Sequence, residues 1–319
     1  MRRAGYLGLS LLLILAIGAP AFSQQPQPRS TAEYNAYKAF YDEQNPQKKA
    51  ELGEKFLAEN KESDFIPQGY SMLIGAYARA QNWAKVIDAA DRAAALPKAD
   101  NRLKAFAYAN AMVVLSTTIP ERLPQNDAAK KAAMDKAGGL ATKALDGVQK
   151  FFSQPKPANF TDAQWNQQKA DLESQLHAAL GFIALNRQDY AKSVQEFDAA
   201  LKSAPKDGVS HYRLGLVYQS LASEASKALV EAINAENAAK TAKAEQPAID
   251  ELVAKRQGVE ADARQKRDKA IDELATAVAI GGVVGQPARE ALERLYKVKN
   301  NDSLEGLDQL IAQKRSQLG

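Results

Sequence analysis

Beyond residue 30, apolar residues recur every three or four positions with polar residues between them. This spacing gathers the apolar side chains on one face of an α-helix. Runs of β-branched residues are scarce, so strands have little support. Helix starts near residues 31, 162 and 303 are indicated by capping pairs, namely Ser30 or Thr31 with Glu33, Thr161 with Gln164, and Asp302 or Ser303 with Glu305.

The C-terminal pattern predicts a cap of two helices. Three glycines, Gly281, Gly282 and Gly285, mark the end of a long helical segment. Beyond them, residues 288–297 and 304–315 have amphipathic helical spacing. Their polar residues include Lys299, Lys314, Arg315 and Gln317, which suit the outer face of a terminal element.

The segment 222–265 is rich in Ala, Glu, Lys and Gln, and its apolar residues are sparse but helically spaced. Two structures are compatible with this composition. One is a long helical hairpin that turns near Pro247, and the other is a charged disordered loop. The abundance of helix formers and the lack of a Gly/Ser tract favour the hairpin.

A period of 34 residues is present in the middle of the chain. His177, Leu180 and Gly181 recur 34 positions later as His211, Leu214 and Gly215. A looser copy of the same frame begins near Pro67. Further repeat positions are occupied by Tyr190, Ser193, Phe197, Ala200 and Pro205, and in the looser copy by Tyr70, Leu73, Tyr77, Trp83 and Ala93.

These residues resemble the tetratricopeptide-repeat family, strongly over 174–221 and loosely over most of 31–298. The resemblance implies an all-α, right-handed helical solenoid in which small residues let helices A and B of each repeat pack closely. In the second strong repeat, the helix B residues Ala270, Leu274 and Ala277 come late in the chain. The frame therefore implies that 225–266 is an inserted helical hairpin.

The N-terminus has the layout of a secretory signal. Arg2 and Arg3 precede an apolar run over 7–17, and the small residues Ala21 and Ser23 follow it. A retained membrane anchor is the alternative, but this run is shorter than the roughly 20 residues that span a bilayer. We expect cleavage near Ser23 and an exported protein, located in the periplasm or outside the cell, with no stable membrane span after signal removal.

The predicted organisation is a series of segments along the chain. They are a signal peptide at 1–23, a flexible leader at 24–30, degenerate repeats at 31–151, a linker at 152–161, strong repeats at 162–224, the inserted hairpin at 225–266, and the last repeat helix with the cap helices at 267–319.

Composition argues against several classes of function. The chain has a formal charge of +4, and loss of Arg2 and Arg3 leaves +2, which is too balanced for a dedicated nucleic-acid binder. It contains no Cys, so thiolate metal sites are impossible. Its two His residues occupy equivalent repeat positions, where packing is the favoured role. We expect no enzyme, no cofactor and no metal.

The resemblance also implies a binding surface for a protein or peptide of unknown identity. In the family, a groove is lined by helix A positions that face away from helix B. Here those positions give Arg79, Phe182, Asn186, Tyr212, Arg213, Leu216 and Gln219. Packing between repeats is the alternative role for Phe182. The expected function is a scaffold of the bacterial cell envelope. A structural or assembly factor that acts through the hairpin is the alternative, and an accessory to an envelope enzyme is a third.

Overall fold

The computed structural model describes residues 26–80, 82–96 and 160–319, together with individual residues between 135 and 156. Within these residues every regular element is a helix, which confirms the all-α prediction. The predicted signal segment and the repeat residues between 97 and 134 lie outside the described part. The chain divides into two compact units, an N-terminal unit up to Arg187 and a C-terminal unit from Gln188.

The N-terminal unit contains five long helices in its described part: α1 (Thr31–Asp42), α2 (Pro46–Glu59), α3 (Ile66–Arg79), α4 (Trp83–Ala94) and α5 (Asp162–Asn186). The side chain of Ser30 caps α1 by accepting a hydrogen bond from the backbone of Glu33. Thr161 and Gln164 form a reciprocal capping box at the start of α5. The predicted helix starts near 31 and 162 are therefore confirmed.

One apolar core joins the helices of the N-terminal unit. Its fully covered side chains include Phe40 of α1, Phe56 of α2, Leu73 of α3 and Leu176 of α5. Tyr37 stacks on Phe65, with ring centroids 4.2 Å apart. Burial of such large side chains is worth about 1.5–3 kcal/mol each, so this core is the main source of stability in a unit without disulfides.

A half-buried polar cluster lies on α2, α3 and α4 of the same unit. The guanidinium of Arg92 donates two hydrogen bonds to the carboxylate of Glu54, at 2.8 and 2.6 Å, and Tyr77 donates a third at 2.5 Å. Asp88 pairs with Arg92 on the same helix. The hydrogen bonds from Arg92 hold the pKa of Glu54 below its usual value, despite partial burial.

The described C-terminal unit contains α6 (Tyr190–Ser203), α7 (Gly208–Thr241), α8 (Gln246–Ile280), a short 3-10 turn (Gly282–Val284), α9 (Gly285–Lys299) and α10 (Leu307–Gln317). The predicted start near 303 is wrong by four residues. Ser303 accepts a hydrogen bond from the backbone of Glu305, which forms a local turn instead of a helix cap. The chain enters α10 through Gly306, whose φ of +84° favours glycine.

Helices α7 and α8 form an antiparallel hairpin, so the helical alternative for 222–265 is correct. The chain reverses between Thr241 and Gln246, and Pro247 lies in the first turn of α8. From Ala222 onward, the buried and half-buried positions of α7 alternate in steps of three and four residues, as in a coiled coil. They are mostly alanine, which lets the two helices approach closely: Ala222, Ala225, Leu229, Ala232, Glu236 and Ala239.

A charged group lies inside this alanine seam. Glu236 of α7 is covered, and its carboxylate accepts hydrogen bonds from Arg256 of α8 at 2.6 Å and from Lys240 at 2.5 Å. These bonds lower the pKa of Glu236. A charged residue in the seam between two helices favours the alignment that gives it a partner on the other helix. The Glu236–Arg256 pair therefore fixes the register of the hairpin.

The opposite end of the hairpin packs into the core of the C-terminal unit. Ile271, Leu274 and Ala275 of α8 join Leu292 of α9 and Ile311 of α10. Ion pairs reinforce this attachment: Lys299 contacts Asp268 at 2.9 Å and Lys314 contacts Asp272 at 2.5 Å. Among the described helices, none combines the length and apolarity needed to cross a membrane.

Candidate interaction surface

Positions that repeat in the sequence have similar environments in the structure. Leu180 and Gly181 of α5 are buried, as are Leu214 and Gly215 of α7. The positions assigned to a second helix of each pair are also covered, and several are completely inaccessible. These are Ser193, Phe197 and Ala200 on α6, and Ala270, Leu274 and Ala277 on α8. The period therefore corresponds to a recurring core position within each unit.

Gly215 shows why one of these positions is small. A Cβ atom at Gly215 would lie 2.7 Å from Cγ of Leu274 and 3.3 Å from its backbone nitrogen. Such distances are shorter than van der Waals contact, so only glycine permits this approach of α7 to α8. The contact joins the two helices that the sequence frame paired across the segment 225–266.

A groove runs along α8 beside this contact, between α6, α7 and α8. Its volume is about 1040 Å³. The wall supplied by α8 contains residues spaced one helical turn apart over 16 positions, which corresponds to roughly 24 Å. The lining residues are Asp198, Tyr218, Gln257, Glu260, Ala261, Arg264, Gln265, Asp268, Lys269, Asp272 and Glu273. We call this surface the α8 groove.

The α8 groove contains both signs of charge, and most of its charged groups have partners. Arg264 pairs with Glu260 one turn away. The ammonium of Lys269 lies 5.1 Å from the ring centroid of Tyr218, which is a cation–π distance. Asp198 faces Glu273 across the groove, and burial followed by this like charge raises the pKa of Asp198. The lining holds five carboxylates and two cations, so the surface is polar and net acidic, with one aromatic ring.

His211 contacts Glu273, the last lining residue of the α8 groove along α8. Its Nδ1 lies 2.6 Å from Oε2 of Glu273, and its Nε2 lies 3.1 Å from the carbonyl oxygen of Pro205. The imidazole is largely covered, with 13% of its side chain exposed. Burial lowers the pKa of His211, but the hydrogen bonds to Glu273 and Pro205 outweigh it, and the net pKa is raised.

The predicted groove residues of the N-terminal unit lie on two helices. Arg79 is exposed at the end of α3, and its Nε contacts the carbonyl oxygen of Gly75 at 3.4 Å. Phe182 and Asn186 lie one turn apart at the end of α5, and both are half-buried. The amide of Asn186 donates to the carbonyl oxygen of Phe182 at 2.8 Å. Their use in partner binding stays a prediction.

The other four predicted residues lie on α7. Tyr212 and Leu216 pack against the core formed by α8, α9 and α10, so both contribute to the stability of the C-terminal unit. Arg213 and Gln219 are half-buried. Burial lowers the pKa of Arg213 to about 10, which leaves the guanidinium charged at neutral pH. A contact of these four residues with a partner likewise stays a prediction.

The residues of the α8 groove were not among the binding residues predicted from the sequence. A signal for them exists, because charged and amide residues recur at intervals of three and four between Gln257 and Glu273. That pattern is also typical of a solvated helix face, so sequence alone does not single it out. In the described part of the chain, no group of three or more His, Asp or Glu side chains is placed to hold a metal ion.

Comparison of the sequence with known protein families found no family model that matches it, and comparison with curated proteins found no significant match.

Proposed function

We propose that this protein is an exported tetratricopeptide-type scaffold of the bacterial cell envelope, which binds a segment of another protein in the α8 groove. The observation that carries the proposal is the groove itself. It is bordered by three helices and is about 1040 Å³ in volume. Apart from Tyr218 and Ala261, its lining side chains are charged or amide groups, whereas small-molecule sites are mostly apolar.

The packing of the helices supports the tetratricopeptide-type arrangement. In that family a glycine of helix A permits the close approach of helix B, and Gly215 meets Leu274 in this way. The completely covered Ala270 and Ala277 occupy the remaining small positions of the same helix B frame. On this frame the segment 225–266 is an insertion that lengthens both helices of one repeat.

The N-terminal residues support export. Arg2 and Arg3, the apolar run and the small residues up to Ser23 form a cleavable signal. We expect protein recovered from the envelope to begin between Phe22 and Gln25, and to dissolve without detergent. N-terminal sequencing tests this directly. Recovery of an intact Met1 in the membrane fraction would contradict export as a cleaved protein.

Photo-cross-linking in the producing cell tests the binding surface. A photoreactive amino acid placed at Gln257 or Gln265 in the α8 groove should yield a discrete protein adduct. The same amino acid at Gln219 reports on the helix A surface, and at Lys55, exposed on α2, it serves as a matched control. Adducts from Gln219 alone would move the binding site to the helix A surface. Equal adducts from all positions would contradict a specific site.

A second candidate function is assembly through the hairpin. Val230 and Ile233 lie one turn apart on α7, and 57% and 38% of their surfaces are exposed. Exposed aliphatic pairs of this kind suit a contact with another protein. Replacing both by Ser should leave the fold unchanged, because neither residue is covered. The hairpin is the contact element if this double substitution abolishes formation of the cross-linked adduct and substitutions in the α8 groove do not.

A further inference from the structure

The environment of His211 requires an imidazolium. The carbonyl oxygen of Pro205 accepts hydrogen bonds and cannot donate. An ionised Glu273 carboxylate is also an acceptor only. Since both ring nitrogens of His211 face such acceptors, at 3.1 and 2.6 Å, both must carry a proton for the two hydrogen bonds to form.

The two hydrogen bonds connect different parts of the C-terminal unit. Pro205 lies in the loop between α6 and α7, His211 lies in the first turns of α7, and Glu273 belongs to α8 and lines the groove. The loop is also fixed by Asp207, whose carboxylate accepts from the backbone of Val209 and the hydroxyl of Ser210. His211 therefore links this loop to the groove wall.

We infer that His211 is a pH-responsive clamp: with two ring protons it holds the 204–207 loop and Glu273 together, and loss of one proton releases this end of the α8 groove. Once a ring nitrogen loses its proton, it faces an oxygen acceptor at close range with nothing to donate. The imidazole can then keep only one of its two hydrogen bonds, and the oxygen that loses its donor is accessible to water, so the contact opens.

The surrounding charges act in the same direction or are neutralised. Asp207 at the start of α7 adds a negative charge that favours the imidazolium. Asp198 of α6 lies near both Glu273 and the oppositely charged Lys269 of α8. The turn Gly282–Val284, which packs against α7, has no titratable side chain. From α9, Arg289 and Glu293 are bonded to one another at 2.9 Å.

The direction of the effect follows from proton linkage. Because the folded pKa of His211 is raised above its ordinary value of 6.5, the stabilisation is fully present below about pH 6.5. It is lost as the pH rises through the folded pKa. The equilibrium constant for opening the clamp should increase tenfold for each unit by which the pKa of His211 in the closed clamp exceeds its pKa in the open clamp.

Nuclear magnetic resonance can follow the clamp in the full chain, because only two imidazole signals exist. The H177Q variant assigns them by removing the other histidine and leaving the clamp intact. We expect the His211 midpoint to lie above its value in the same chain unfolded in urea. A midpoint at or below the unfolded value would overturn the inference, whether or not any variant folds.

Hydrogen exchange measures the structural consequence. After correction for intrinsic rates, segments 204–211 and 270–275 should exchange faster at pH 9 than at pH 6. H211Q should exchange fast at both pH values, whereas E273Q keeps an oxygen acceptor but should lower the midpoint of His211. If protection is unchanged across the titration, or H211Q exchanges like the natural chain, no clamp exists. The inference deepens the proposed use of the groove, but these readouts need no partner, so either idea can fail without the other.

Discussion

Replacing Gly215 by alanine tests the closest helix contact in the C-terminal unit. The added Cβ would lie 2.7 Å from Cγ of Leu274, which is completely buried. Overpacking of this kind costs about 1–3 kcal/mol. Alanine is a better helix former than glycine by about 1 kcal/mol, which offsets part of that cost. We expect a net loss of about 1 kcal/mol, or roughly 4 °C in the melting temperature.

Gly258→Ala is the matched control within the same hairpin. Gly258 lies inside α8, and an added Cβ would have no atom within 4 Å. Its substitution should therefore stabilise the protein by about 0.5–1 kcal/mol through helix propensity alone. Both variants are measured by circular dichroism during thermal unfolding. Since circular dichroism reports on all helices together, hydrogen exchange over α7 and α8 assigns the changes to this hairpin. Equal stabilisation by the two substitutions would refute the close approach of α7 and α8.

Three further predictions address other parts of the molecule. Arg92→Ala should destabilise the N-terminal unit by about 1 kcal/mol in urea unfolding. The value is modest because the side chains of Arg92 and Glu54 are both about one-third exposed. An unchanged unfolding midpoint would show that this ion pair does not contribute to stability. Glu236→Ala should increase hydrogen exchange at the hairpin tip without loss of protection in the core. In the natural chain the Glu236–Arg256 pair should weaken as the pH falls through the lowered pKa of Glu236. Unaltered exchange in the variant would contradict the role of Glu236 in fixing the register. Replacing 225–266 by a short glycine linker should leave a helical protein that melts cooperatively. The reason is that the core of the C-terminal unit consists of residues from Ile271 onward, against which Tyr212 and Leu216 pack. Collapse of the fold would show that the hairpin is part of the core.

Local features of the fold were predictable where neighbouring residues alone decide them. The capping pair Thr161 and Gln164 specifies the start of α5 because both hydrogen bonds form within one turn. The composition of 222–265 likewise identified helices, since alanine, glutamate and lysine favour them without tertiary help. At Ser303 the same reasoning failed, because its hydroxyl bonds within a turn and Gly306 in the left-handed region begins the helix.

The binding surface depended on contacts between distant segments. Tyr212 and Leu216 were predicted to line a groove, and the structure packs both against core residues that follow 55 or more positions later, from Ile271 onward (271 − 216 = 55). His211 was predicted to be a packing residue whose polar atoms find a partner or water, and the sequence did not show that its two acceptors come from a preceding loop and from α8. No pattern of neighbouring residues predicts contacts between such distant segments.

By itself, the sequence determined that the chain is helical, where α1 and α5 begin, and which small positions recur at 34 residues, because propensity, capping and periodicity act over a few neighbouring residues. Tertiary structure alone decided that Gly215 meets Leu274, that Glu236 pairs with Arg256, and that His211 stands between Pro205 and Glu273. Apart from the bond between His211 and Pro205, which spans 6 positions, these contacts join residues 20 to 62 positions apart, and their geometry exists only once the helices have packed.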